Sequence, residues 1–260
     1  MPYSKRPHHG GPYLALIEEI SLVPVRPVRL VIDCLRFEKI NKSSVSFSEF
    51  IKDEIQLWSN ALGQRTIKSL FLFHPYHLLA PFELTRVLHL IASAFHIPDE
   101  GQQDKNFAVI SESDHINVNH LALSKGLGFS NFQIVVKPQQ QNDLESLTKK
   151  IRLLREYSVN SIGVQLLHSD CLGETRDKIK RIEAYCQPDY ICLGHTLDSL
   201  DIVSDNGTSF SNTLQDDEVD VLELGPEGRS SIGDITIENY CCADKYRTSL
   251  EQKRLPIHTH

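Results

Sequence analysis

Residues 106–137, NFAVISESDHINVNHLALSKGLGFSNFQIVVK, constrain the fold more than any other stretch. The apolar run Phe107–Ile110 is too short for a helix and is bounded by polar residues, as a buried strand would be. Residues 111–117 are mostly polar and leave it. Asn117 or Asn119 can then cap a helix that carries Val118, Leu121, Ala122 and Leu123 and stops at Gly126 and Gly128. A second apolar run, Phe132–Val136, follows at once. Strand, helix, glycine stop and strand within about 30 residues make a βαβ unit, whose strands are parallel and whose crossover is right-handed.

The same alternation extends along the chain. Apolar runs at 28–32, 67–73, 107–110, 132–136, 161–167 and 190–193 read as strands. Helical spacing of apolar residues marks Phe47–Leu62, Phe82–Phe95, Leu144–Tyr157 and Thr175–Tyr185. Regular βα alternation predicts an α/β fold with a parallel sheet, either a partial barrel or a doubly wound sheet, over residues 28–198. Residues 1–27 hold five of the 12 prolines and are expected to be extended and pinned to the body. Residues 199–220 are acidic and turn-rich, and read as a flexible loop. Residues 221–260 are expected to form a short C-terminal β extension that completes the barrel, with apolar runs at 221–224 and 232–237 and a tail over the last dozen residues.

The balance of charge excludes some partners. A formal net charge of −7 disfavours the nucleic-acid backbone, which needs a basic surface. The clusters Lys149, Lys150, Arg152, Arg155 and Lys178, Lys180, Arg181 fall on amphipathic helices and read as solvated faces. No apolar run approaches the roughly 20 residues of a membrane helix. The N-terminus lacks the apolar core of a signal peptide. The six cysteines contain no C-x-x-C pair and no disulfide-framework spacing, so a reduced, cytoplasmic protein is the simplest expectation.

Parallel α/β folds build their sites at the C-terminal ends of the strands. Those ends carry Asp33, His74, His77, Glu112, His115, Lys137, His168, Asp170 and His195. Imidazoles and carboxylates on one cavity suit a divalent metal, with His74, His77, His115, His168 and His195 as ligands, or a general acid/base pair. The plain alternative is that these are ordinary polar loop residues facing water. Gly225 and Gly228 offer either a phosphate-cradling loop or a tight turn.

The order of these segments resembles the oxygen-independent coproporphyrinogen III oxidases, radical S-adenosylmethionine enzymes of haem synthesis. Gly10-Gly-Pro-Tyr13 resembles their N-terminal Gly-Pro-x-Tyr segment, and Ile110-Ser-Glu-Ser-Asp114 their strand-three Ile-Glu-x-Asp-Pro. Leu123–Phe129 is similar to Leu-x-x-x-Gly-Phe, and Leu222–Asp234 to a late Gly-x-Gly-x-x-Ser-x-Ile-Gly segment. Tyr246 and Leu255-Pro256 fit the same alignment. The resemblance covers nearly the whole chain. It implies a six-stranded (β/α)6 partial TIM barrel with a site at the strand ends, where Glu112 aligns with a cofactor-contacting glutamate.

The departures concentrate on the cofactor. Where the family has C-x-x-x-C-x-x-C for a [4Fe–4S] cluster, this chain reads Ile32-Asp-Cys-Leu-Arg-Phe-Glu-Lys39, and the single thiolate of Cys34 cannot hold one. In place of Gly-Gly-Gly-Thr-Pro stands His74-Pro75-Tyr76-His77. The family's strand-four Gln falls near Lys137 and its strand-five Asp near Gly163. Two function classes follow. One is a pseudoenzyme, a binding or regulatory protein with a cavity for a small-molecule ligand such as a tetrapyrrole. The other is an enzyme that has replaced the iron–sulfur site with a His/carboxylate metal site. A haem iron or a divalent metal would suit the same histidines, and an active radical enzyme is disfavoured.

Overall fold

The computed structural model describes residues 12–38, 47–98, 105–137, 143–167, 172–194, 201–205 and 218–258. The βα repeat is present. After a helix α1 (Pro12–Leu22), strands β1 (Val28–Asp33), β2 (Ile67–Phe73), β3 (Asn106–Glu112), β4 (Asn131–Val136), β5 (Ser161–Leu166) and β6 (Tyr190–Leu193) pair in sequence order, each parallel to the next. Short helices α2 (Cys34–Glu38) and α4 (Pro75–Leu78) follow β1 and β2 directly. The crossovers are α3 (Phe47–Leu62), α5 (Pro81–Ala94), α6 (Val118–Gly126), α7 (Leu144–Glu156) and α8 (Leu172–Cys186). In α6 it is Asn117 that caps, its side chain accepting from the His120 amide at 3.0 Å, and Gly128 (φ 88°) sits just past the helix end.

The sheet is larger than the six strands expected. β7 (Asp201–Asp205) lies antiparallel on β6, so part of the 199–220 stretch read as a loop is a strand. β8 (Asp220–Leu224) pairs in parallel with the free edge of β1, and β9 (Arg229–Ile232) and β10 (Ile235–Glu238) follow antiparallel beyond it. The order is β10-β9-β8-β1-β2-β3-β4-β5-β6-β7. The sheet thus has ten strands, seven of them mutually parallel, the expected C-terminal β extension supplying β8 to β10, and among the described residues no pairing joins β7 to β10. The single apolar run expected at 232–237 is a hairpin, because Gly233 (φ 57°) opens a two-residue turn whose first position favours glycine.

Two further expectations change. Residues 12–22 are helical rather than extended: Pro12 stands at the first helical position, where its missing N–H costs nothing, and Pro24 and Pro27 fall after the helix ends. The C-terminal stretch expected to be a tail is folded onto the body. It holds α9 (Ala243–Glu251) and a return stretch in which the Tyr240 amide donates to Pro256 O at 2.7 Å and Leu255 and Ile257 are buried. Among the described residues no helix is long and apolar enough to cross a membrane.

Successive side chains alternate between two faces of each strand, as the pleat requires. One face carries Leu30, Ile32, Leu70, Leu72, Val109, Ile134, Val164 and Leu222 into the main core under the helices. The other carries Val31, Phe71, Phe73, Ala108, Ile110, Val135, Tyr190 and Cys192. This second cluster is built from strand residues, with Leu167 just after β5, so the strands themselves supply a second apolar layer on that face. The C-terminal ends of the parallel strands lie along one rim of the sheet.

Candidate functional site

At the end of β2 the chain turns sharply. His74 adopts a left-handed backbone (φ 54°, ψ 35°), and its amide is held by Ile110 O on β3 at 2.7 Å. A non-glycine residue there costs on the order of 1 kcal/mol. Pro75 then starts α4, and the single turn brings His77 back over the strand end, its amide donating to His74 O at 3.2 Å. From β3, a 3-10 turn over Ser113–His115 delivers His115 to the same place. His77 Nδ1 and His115 Nε2 face each other at 3.4 Å, with ring centroids 4.8 Å apart. Glu38 Oε2 lies 3.7 Å from the other nitrogen of His77. The partly buried His74 feels both rings, and burial lowers its pKa against the opposing pull of Asp33 and Glu112.

Three ion pairs flank this histidine group. Lys137 Nζ lies 2.7 Å from Glu112 Oε2, the pairing expected of adjacent strand ends. Arg36 gathers Glu223 Oε1 at 2.9 Å, Asp33 Oδ2 at 3.5 Å and the carbonyl of Glu227 at 2.9 Å. Sequence reasoning passed over Arg36 and Glu38. The signal available was their place in the 32–39 segment, where the resemblance expects ligands and the chain supplies charges.

Below the rim, the inward face is filled. The Tyr190 hydroxyl donates to Gln133 Oε1 at 3.0 Å, Gln133 donates to Gln165 at 2.7 Å, and Gln165 donates to Gly194 O at 2.7 Å. A Cβ on Gly163 would stand 2.1 Å from the Tyr190 ring, so this glycine is where the ring passes over β5. Among the described residues, a cavity of about 60 Å³ lies beside the ends of β3 and β4, lined by Ser113, Asp114, Val136 and the start of α7. That space suits a few waters and is far too small for a tetrapyrrole.

The Gly225–Gly228 loop is organised from within. The Gly225 amide donates to Glu54 Oε2 at 2.9 Å, Gly228 donates to Gly225 O at 3.1 Å, and Arg229 donates to Glu223 Oε2 at 2.8 Å. Glu227 donates to Tyr240 O at 3.4 Å, and Pro226 has no amide proton. Every amide from 225 to 229 is spent inside the protein, which leaves none for an anion at Gly225 and Gly228. The tight turn accounts for both glycines.

Of the candidate metal ligands, His74, His77 and His115 come together, whereas His168 and His195, with Asp170, lie outside the described residues. Among the described residues no three His, Cys, Asp or Glu side chains stand in ligating positions together. Cys34 is fully buried in the core beneath the helices. Burial, and secondarily the charge of Asp33, holds its thiol well above the ordinary cysteine range.

Twelve chains of solved structure share this architecture. One is coproporphyrinogen III oxidase (HemN) from Escherichia coli, a radical S-adenosylmethionine enzyme, with a TM-score of 0.71 at 14% sequence identity over 94% of this chain and 74% of that one. The chain shares the fold of that enzyme. No protein-family profile and no curated protein matches the sequence. At this identity the likeness concerns the backbone alone, so the donor set of this chain decides what it can hold. A [4Fe–4S] cluster takes cysteine thiolates. The segment after β1 offers one thiol, facing the core, and the segment after β2 offers a proline and a strained histidine. These residues do not fit the cluster.

Proposed function

We propose that this protein is a non-catalytic member of its fold class, a ligand-binding or regulatory scaffold that keeps the strand-end rim and has given up cluster-based chemistry. The observation that carries this reading is Cys34, whose thiol is buried on the helix side of the sheet and held in its protonated form. Ligation requires an accessible thiolate. The rim supports the same reading, since Glu112 is engaged by Lys137 and the inward face is packed by Tyr190, Gln133 and Gln165. The resemblance suggests a tetrapyrrole-related ligand. The small cavity favours instead a compact polar ligand held at the rim.

The test is anaerobic incubation of the purified protein with iron and sulfide, followed by quantitation of both and calorimetry with S-adenosylmethionine. The expected result is less than one cluster per chain, no change in Cys34→Ala, and no heat of cofactor binding. Stoichiometric iron and sulfide that disappear in Cys34→Ala, or micromolar cofactor affinity, would overturn it. Haem titration of the same sample asks whether the rim histidines take a tetrapyrrole iron.

A further inference from the structure

We propose that His77 and His115 form a two-histidine site for a first-row divalent cation such as Zn²⁺, with Glu38 as the outer carboxylate that orients His77. The proposal deepens the reading of the rim as a ligand site and names the ligand class.

The spacing carries it. His77 Nδ1 and His115 Nε2 are 3.4 Å apart, beyond the 2.7–3.2 Å of a good nitrogen hydrogen bond. Two nitrogens at about 2.0–2.1 Å from a tetrahedral Zn²⁺ stand about 3.3–3.4 Å from one another, by the geometry of the tetrahedron. The pair is therefore set at a ligand–ligand edge rather than a hydrogen-bond distance. The remaining ring atoms agree. His115 Nδ1 is buried without a partner, so Nε2 is the atom through which this ring bonds outward. Glu38 lies on the Nε2 side of His77, 3.7 Å away, which favours the proton there and leaves the Nδ1 lone pair directed at His115. A carboxylate behind a ligating histidine is the usual means of fixing its tautomer and raising its basicity.

Backbone strain points to the same place. The left-handed turn at His74 sets the course of α4 and so the position of His77, and strain of this kind is retained where the surrounding structure demands it. The His74 ring interacts electrostatically with both rings of the pair and with Asp33 and Glu112, whose carboxylates are engaged by Arg36 and Lys137. His77 and Glu38 are both solvent-exposed, which gives a metal ion its entry path. With two protein ligands, solvent completes the sphere. The site binds more weakly than a three-ligand one, and nitrogen donors rank Cu²⁺ and Zn²⁺ above Mn²⁺.

The experiment is calorimetric titration of chelator-stripped full-length protein with Zn²⁺ at pH 7.5, repeated with His77→Ala, His115→Ala, Glu38→Gln and the control pair His8→Ala/His9→Ala. One equivalent should bind to the wild type and to the control pair. Affinity should fall at least tenfold in each rim-histidine variant and severalfold in Glu38→Gln, with the metal-free melting temperatures of all variants unchanged. Co²⁺ added to the wild type should give the intense visible bands of a four-coordinate ion, absent in His77→Ala/His115→Ala. Zn²⁺ binding that survives in both rim variants, or is lost in the terminal control, overturns the site. A cluster found on anaerobic reconstitution would overturn the non-catalytic reading and leave this titration standing on its own.

Discussion

A carboxylate shut away from water must find donors, and Glu54 finds three on one segment of chain. Fully buried on α3, it accepts from the Gly225 amide at 2.9 Å, from Asn239 Nδ2 at 2.8 Å and from the Tyr246 hydroxyl. Burial outweighs these donors and lifts its pKa from 4.5 to about 7. The folded state therefore holds the proton more tightly than the unfolded one. This contribution to stability is fully present below pH 4.5 and is lost as pH rises towards 7, by on the order of 3 kcal/mol. Urea unfolding at pH 5 and pH 8 should show the wild type losing stability relative to Glu54→Gln, whose side chain does not titrate. Equal pH slopes in the two proteins would contradict this. Gly225 is the second test at this scale. Its φ of 106° strains any side chain, and a Cβ would stand 2.6 Å from the Phe37 ring. Gly225→Ala is expected to cost roughly 2 kcal/mol or more in the same denaturation assay.

The elements that the sequence revealed are those with a strong period and a local stop. α6 could be placed from Asn117, Leu121 and Gly128, and β2 to β6 from their continuous apolar runs, because strands buried on both faces need no alternation. β7 was hidden because Asp201 and Asp205 make its ends look like loop, and its pairing with β6 is long-range. The position of β8 beside β1 was equally hidden, since nothing local records a partner some 190 residues away. What fixes it is a buried ion pair. Asp220 at the head of β8 meets Arg65 just before β2, both nearly inaccessible, and its second oxygen accepts the Gly233 amide at 2.9 Å. Removing one partner strands the other charge without water, so Asp220→Ala should cost about 3–5 kcal/mol by chemical denaturation. The rim was legible in part: the strand-end rule brought His74, His77 and His115 into view, but the side chains that organise them, Arg36 and Glu38, lie on a five-residue helix without a repeat to announce it.

At the scale of the molecule, the C-terminal segment behaves as part of the main core rather than as an appendage. β8 satisfies the edge of β1 that faces away from β2, and an uncovered β1 would present a row of unpaired amides and carbonyls. Leu222, Leu224, Ile232, Ile237, Tyr246, Leu250, Leu255 and Ile257 all enter the main core, which also takes in the apolar faces of α3 and α1. The Leu255 amide is even held by the Tyr13 hydroxyl at 2.9 Å, closing the two ends of the chain on each other. Each fully buried side chain of this kind contributes roughly 1.5–3 kcal/mol, so the gross apolar burial of the segment is comparable to the 5–15 kcal/mol margin of an ordinary domain. A fragment comprising residues 1–217 would also leave Glu54 and Arg65 buried without their partners. It is expected to lose the cooperative thermal transition seen by near-ultraviolet circular dichroism, and a separately produced 218–260 segment should restore that transition on mixing. A fragment that melts cooperatively within a few degrees of the full chain would show instead that the six consecutive parallel strands and their helices stand alone, with β8 to β10 merely docked on their edge.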